Sequence, residues 1–237
     1  FPWLHTQRSK FISIFAHFWN DYCTRRTDLV LVICGSAASF MINKVIKDKK
    51  GLHNRITHRI RLNPFNLYET KEFLKSKRVN LTDYDYLQIY MAMGGVPHYL
   101  EKIERGDSVA TAIDRLCFAE NAFLGEEFDN LFASLFDNSD NHEKIVNELS
   151  KSGKGLTRGE IVDKTGIGSG GRLTTYLAEL SESGFISNYK PLDKKVKETL
   201  YRLSDEYSLF YTKFIRDNQG GDWTTLFSSR SYLSWGG

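Results

Sequence analysis

The sequence predicts a mostly α-helical chain that opens with a stretch of α/β character. Three observations predict it. A six-residue apolar run, Leu29 to Cys34, sits between two helix-patterned segments. From Pro64 to 136, helix-start signals follow one another. From 142 to 203, three helical segments precede two short strand-like segments that flank a lysine-rich tip.

Taken in order, residues 8–26 read as an amphipathic helix. Phe11, Ile14, Phe15, Phe18, Trp19 and Tyr22 fall on one face of a 3.6-residue period. Leu29–Cys34 is apolar throughout, which suits a strand buried on both faces of a parallel sheet. Gly35-Ser36 ends it, and 37–47 looks helical. From Arg55 to Leu62, Ile56, His58, Ile60 and Leu62 alternate, as on one face of a strand. Two strands are too few for a stable open sheet. The expectation is that further strands lie before Phe1. The absent methionine and the Trp235-Gly236-Gly237 ending give the same expectation of a piece of something longer.

From Pro64 the character turns helical, with helices expected at 67–77, 82–93, 97–105, 107–119 and 126–136. Asn66 with Glu69, and Thr82 with Asp85, approach the capping-box pattern. Gly94-Gly95 stops one helix, and Pro97 is placed to start the next. After the polar linker 137–141 come a helix at 142–151, a capping box at Thr157–Glu160 opening a helix to Lys164, a turn at 166–171 with Ser169 as N-cap, and a helix at 171–183. Strand-like segments at 185–189 and 198–203 enclose Lys190, Lys194, Lys195 and Lys197. Three helices, a hairpin and a basic tip are the pattern of a winged helix-turn-helix. Residues 205–217 form a further amphipathic helix, aromatic on the face of Tyr207, Phe210, Tyr211 and Phe214.

Composition limits the function classes. Of 237 residues 41% are hydrophobic, 26% charged and 14% aromatic, which excludes a disordered or collagen-like chain. No apolar run approaches the roughly 20 residues of a membrane span, and no signal peptide opens the chain. Three scattered cysteines, Cys23, Cys34 and Cys117, fit neither a disulfide framework nor a zinc site. They read as a reducing, cytoplasmic setting, in which the sequon Asn80-Leu81-Thr82 has no consequence. The net charge of +3 conceals a gradient. Residues 1–63 hold 11 basic residues against 3 acidic, 64–140 hold 7 against 14, and 141–237 hold 14 against 12. A basic first quarter points to an anionic ligand or to an acidic surface packed on it.

Catalytic motifs are scarce. There is no G-x-x-x-x-G-K-[ST] loop, no H-E-x-x-H and no G-x-S-x-G. Gly166-Ile-Gly168-Ser-Gly-Gly171 formally matches a dinucleotide loop. It follows a short polar helix instead of a buried strand, so it reads as the turn of the helix-turn-helix. Glu126-Glu127-Phe128-Asp129 reads as an exposed helix start. Ser36, at the end of the Leu29–Cys34 run, stands where open α/β sheets bind ligands. It would contact a phosphate or an attacking water there, or else cap the next helix.

Six ordered segments together carry a resemblance: Phe1-Pro2-Trp3-Leu4, Leu31–Ala37, Gly51–Ile56, Arg61–Phe65, Met93–Pro97 and Leu200–Tyr207. The chain resembles, over nearly its whole length, the archaeal-type ATPases of the STAND group within the AAA+ P-loop NTPases, above all their Bacteroides-type members. The resemblance implies an α/β remnant of a P-loop NTPase core at 1–63, an α-helical lid at 64–137, a winged helix-turn-helix domain at 138–204, and at 205–237 the start of a C-terminal region, nuclease-like in the family. It also implies that the Walker A and Walker B motifs would fall before Phe1. Ser36 then matches the sensor-1 position, Arg55 a sensor or arginine finger, and Gly95 and Pro97 the lid turn near adenine. ATP and Mg would be cofactors of the complete protein, with ATP and ADP as its ligands. Without the Walker lysine and acids this chain alone is expected neither to bind nucleotide tightly nor to turn it over.

Three functions follow as expectations: part of a nucleotide-driven switch, a DNA-binding module, or an interaction scaffold. In the DNA reading, Arg172, Thr174 and Thr175 face the major groove of a duplex, and Lys190, Lys194, Lys195 and Lys197 contact phosphates. Residues 141–237 carry a net charge of only +2, with Glu179 and Glu182 on the reading helix. That is a weak basic footprint for DNA, which favours an interdomain role. No membrane is implied, and an oligomer is compatible with the sequence.

Overall fold

The computed structural model describes residues 4–6, 8–35, 40–46, 51–52, 54–136, 138–192, 198–218 and 220–229. The chain divides into two compact units. One is Phe1–Leu62 with Ser134–Asp137, and the other is Asn63–Ala133 with Asn138–Gly237.

The first unit is built on helix α1, Phe11–Asp21, followed by a 3₁₀ turn at Cys23–Arg25. Met41–Ile46 adds a π-helical turn. The start of the helix expected from Ala37 lies outside the described residues. Ala16, Val45 and Leu52 form a small core, with Ile12, Phe15, Phe40, Met41 and Ile56 packed against it. The Asn20 amide donates to the carbonyls of Ala16 and Gly51, at 2.9 and 3.1 Å, tying α1 to the turn at Gly51 and Leu52. The predicted face of α1 is buried in part, with Phe15 packed on the core and Phe11 and Trp19 half-buried. Ala16 is inside, while Ile14, Phe18 and Tyr22 stay exposed.

The α/β character expected for residues 1–63 needs correction. Neither 29–34 nor 55–62 is a strand, and among the described residues the first unit contains no strand at all. The apolar patterns are present, but a strand forms only where a neighbour accepts and donates its backbone hydrogen bonds.

The second unit is mostly helical. Helices α2 (Leu67–Ser76) and α3 (Asp83–Met93) open with complete capping boxes, Asn66 with Glu69 and Thr82 with Asp85. Each box satisfies two backbone N–H groups that the helix leaves without partners. Gly94 ends α3 at φ +64°, and Pro97 opens the short helix α4, Pro97–Leu100. The helix expected at 97–105 stops there. The one expected at 107–119 divides into α5, Val109–Ile113, and a π-helical turn at Asp114–Phe118. Helix α6 spans Phe123–Leu135.

Helix α7 (Asp140–Ser150), strand β1 (Leu156–Thr157), helices α8 (Arg158–Thr165) and α9 (Gly171–Glu182), and strands β2 (Ile186–Tyr189) and β3 (Leu200–Leu203) follow. The sheet has the order β1-β3-β2 and is antiparallel throughout, with Leu156 opposite Tyr201 and Ile186 opposite Leu203. Ile145, Leu149, Ile161, Leu173, Leu177 and Leu180 fill its core. Thr157 and Glu160 close the capping box at the start of α8. Gly166 ends α8 in the left-handed region. The N-cap of α9 is Gly170, which corrects the expectation for Ser169. The Arg158 guanidinium holds this turn by donating to the carbonyls of Ser169 and Gly170, at 2.8 and 3.0 Å.

Helix α10, Glu206–Phe210, continues into a π-helical turn at Tyr211–Ile215 and packs on α3. The predicted aromatic face is buried, with Tyr207, Phe210, Tyr211 and Phe214 inside. Helix α11, Trp223–Ser229, docks through buried Trp223, whose ring stacks on Phe118 and whose backbone N–H donates to the Asp114 carboxylate. Among the described residues, no helix is long and apolar enough to cross a membrane.

Candidate functional site

The turn Gly94–Pro97 is the best-defined predicted site. Gly95 lies against the backbone of Phe65, whose N–H donates to the Gly95 carbonyl at 2.7 Å. A Cβ on Gly95 would stand 1.7 Å from the Phe65 carbonyl oxygen. The close approach alone therefore requires glycine here. Gly94 and Gly95 are buried, and Pro97 and His98 are exposed at the start of α4.

Carboxylates and phenols surround this turn. Glu206 Oε2 lies 3.3 Å from where a Gly94 Cβ would stand. Burial raises the Tyr90 phenol, and the negative charge of Glu206 adds to the shift. Burial pushes the Glu206 carboxyl above its ordinary range, and the neighbouring charge of Asp205 adds to the shift. Burial pushes Asp205 up as well, although its carboxylate accepts the Ser208 N–H at 2.7 Å as the cap of α10. The Tyr99 hydroxyl donates to Glu127 at 3.1 Å, and the Tyr207 hydroxyl to the Leu124 carbonyl at 2.6 Å. Burial raises both phenols.

Arg55 is exposed in the first unit; its N–H donates to the Leu52 carbonyl at 3.1 Å. Gly95 and Pro97 belong to the second unit. Ser36 lies outside the described residues, as do Lys194 and Lys195. Among the described residues, no group of three histidine, cysteine or carboxylate side chains could hold a metal ion.

Arg172, Thr174 and Thr175 lie exposed on α9, opposite its buried side of Leu173, Leu177 and Leu180. The Thr175 hydroxyl donates back to the Gly171 carbonyl at 3.2 Å. Glu179, counted above against a nucleic-acid face, turns inward. Its Oε2 is 2.8 Å from Nε2 of buried His142, whose Nδ1 lies 3.2 Å from the Asn138 carbonyl. This pair joins α7 to α9 and leaves the outer face of α9 less acidic than its composition implies.

One feature escaped sequence reasoning. A cleft of about 190 Å³ lies in the second unit between α3, the end of α7, β3 and α10, lined in part by Met91, Leu149, Arg202, Glu206, Lys213 and Phe214. It is smaller than the roughly 300–1,000 Å³ of typical ligand pockets. Glu206, Leu209 and Lys213 recur at helical spacing beside the aromatic face. That spacing is a signal, but nothing in it names Arg202 or Met91 as neighbours.

No protein-family model matches the chain. An uncharacterised protein of Methanocaldococcus jannaschii, MJECL04, is 29% identical over 222 residues, 92% of this chain and 48% of the relative. The Walker-type ATPase PABY2304 of Pyrococcus abyssi superposes with a TM-score of 0.60 at 18% identity, over 88% of this chain and 59% of that one. The chain thus shares a fold with part of a Walker-type ATPase, and it spans about half the length of its curated relative.

Proposed function

We propose that this chain is part of a P-loop ATPase of the STAND type, a nucleotide-driven switch, and that it carries the helical lid and a winged helix without the phosphate anchor. The observation that carries the reading is the likeness in fold to a Walker-type ATPase over 88% of the chain. In this reading the turn of Gly95 and Pro97 packs near the adenine, with Gly95 buried against Phe65 and Pro97 exposed. Arg55 and Ser36 face the γ-phosphate in the complete protein.

Mg-ATP itself does not fit the residues present. The sequence has no phosphate-binding loop, and no metal-ligating cluster exists among the described residues. No hydrolytic step is therefore assigned to this chain. The elements from α7 to β3 serve as a winged helix that reorients with nucleotide state.

The test uses the longer Methanocaldococcus relative. It should hydrolyse ATP. Replacing its residue aligned with Arg55 by alanine should lower the rate by about a thousandfold, the scale of a lost arginine finger. An inactive relative, or one indifferent to that change, refutes the reading.

A second reading rests on the exposed Arg172, Thr174 and Thr175. Here α9 enters the major groove of duplex DNA. Affinity for a duplex should then fall steeply between 50 and 200 mM salt, because phosphate contacts release counterions. Binding that is flat with salt, or absent, leaves the interdomain role.

A further inference from the structure

The cleft in the second unit draws its lining from four elements. Met91 comes from α3, Leu149 from the end of α7 and Arg202 from β3. Glu206, Lys213 and Phe214 come from α10 and the π-helical turn after it. Met91, Leu149, Leu209, Phe210 and Phe214 give the cleft apolar walls. Leu149, Phe210 and Phe214 are buried, so these walls are held by the core. Arg202 and Lys213 are the cations of the lining, and Glu206 is its carboxylate. Arg202 is exposed, which places it where the cleft meets water. Among the described residues, carboxylates hold the guanidinium groups of Arg26 and Arg115, but none pairs with Arg202. Burial raises the Glu206 carboxyl, so of the three charges it is the most readily neutralised. The volume of about 190 Å³ sets the size of an occupant. An apolar cavity of about 150 Å³ holds a benzene. There is room here for one aromatic ring or a short branched chain, and not for a nucleotide.

We propose that this cleft binds a small anionic organic molecule, one carboxylate or phosphate group on an apolar body the size of a single ring. The apolar body lies against Met91, Leu149 and Phe214, and the anionic group reaches Arg202 and Lys213. An anion fits better than a cation, because two cations of the lining face one carboxylate. A guanidinium holds carboxylate and phosphate alike, through paired N–H donors. One bound molecule touches α3, α7, β3 and α10 together, so it ties the winged-helix elements to the helices before them. The proposal does not rest on the nucleotide reading, although Glu206 is shared between the cleft and the surroundings of Gly94.

The test is a titration of this chain with benzoate, phenyl phosphate, benzamide and benzamidine, followed by saturation-transfer NMR and by the melting temperature. The four probes share a ring and differ in charge. Benzoate or phenyl phosphate should bind at about millimolar affinity, as suits a ligand this small. It should bind about tenfold more tightly than neutral benzamide, and the tighter of the two tells carboxylate from phosphate. Binding should raise the melting temperature as the probe concentration rises. Arg202→Gln changes an exposed position of β3 and should weaken the anions about tenfold while leaving benzamide unchanged. Met91→Trp should fill the cleft and abolish binding of every probe. Anion binding that survives Arg202→Gln overturns the proposal. So does equal affinity for benzoate and benzamide, a preference for benzamidine, or no binding of any probe. ATP enters none of these readouts, so failure of the nucleotide reading would leave this result standing.

Discussion

Replacing Gly95 by alanine tests why the turn is glycine. The added Cβ would lie 1.7 Å from the Phe65 carbonyl oxygen, and contacts of that kind do not fall below 3.0 Å. The Phe65 backbone must therefore withdraw by about 1.3 Å. That movement breaks the 2.7 Å hydrogen bond from the Phe65 N–H to the Gly95 carbonyl. Stranding a buried backbone group costs about 1–3 kcal/mol. Overpacking adds about 1–3 kcal/mol. A total near 4 kcal/mol is a large part of the roughly 5–15 kcal/mol that holds a domain together. At about 2–4 °C per kcal/mol for a unit of this size, the melting temperature should fall by about 8–16 °C. The assay is urea and thermal denaturation followed by circular dichroism. Gly168→Ala is the control, since its Cβ would meet nothing within 4 Å. It should be neutral or stabilising by up to about 1 kcal/mol. If Gly95→Ala stays within 1 kcal/mol of the parent, the steric account of this turn is wrong.

Further outcomes follow from the same geometry. Burial raises the Glu206 carboxyl, so the folded state holds its proton more tightly than the unfolded chain. Its contribution to stability is full below the ordinary carboxylate range and is lost as pH rises through the raised value; Glu206→Gln should therefore raise the melting temperature at pH 7 and flatten that decline. Thr157→Ala removes the capping box of α8 and should cost about 1 kcal/mol by urea titration. The Thr157 N–H and hydroxyl also hold the Glu160 carboxyl below its ordinary range, so the stability supplied by this box should fade as pH drops through that lowered value. Tyr207→Phe leaves the buried Leu124 carbonyl without its 2.6 Å donor and should cost about 1–3 kcal/mol. If duplex binding is found, Arg172→Gln should cost about 1–3 kcal/mol and relax the sequence preference, while Lys190→Gln should reduce the slope of log affinity against log salt by about one.

What the sequence made legible was local. The boxes at Asn66, Thr82 and Thr157 each need only residues three apart, and all three form. The elements from 140 to 203 were legible for the same reason, because their periods and turn residues are contiguous. The aromatic face of 205–217 was legible too, though its change from α- to π-helical turns was not. The strand patterns at 29–34 and 55–62 are equally plain in the residues, yet no ladder forms, because pairing depends on a partner segment. On α1, aromatic spacing pointed to Phe15, which packs on the core, and also to Ile14, Phe18 and Tyr22, which stay exposed while the small residue Ala16 meets Gly51. The electrostatic interaction of Tyr90 with Glu206 joins residues far apart in sequence, and no spacing rule reaches it. Glu179 was legible as a charge and not as the partner of His142. The P-loop resemblance, drawn from six scattered segments, agrees with the fold shared with a Walker-type ATPase.

The most direct test of the central claim is a calorimetric titration of this chain with Mg-ATP and with ADP. The account predicts no measurable heat of binding up to millimolar nucleotide, because positioning and neutralising the phosphates needs an anchor that these residues do not supply. Binding at micromolar nucleotide would contradict it, for a phosphate site would then exist within the chain itself.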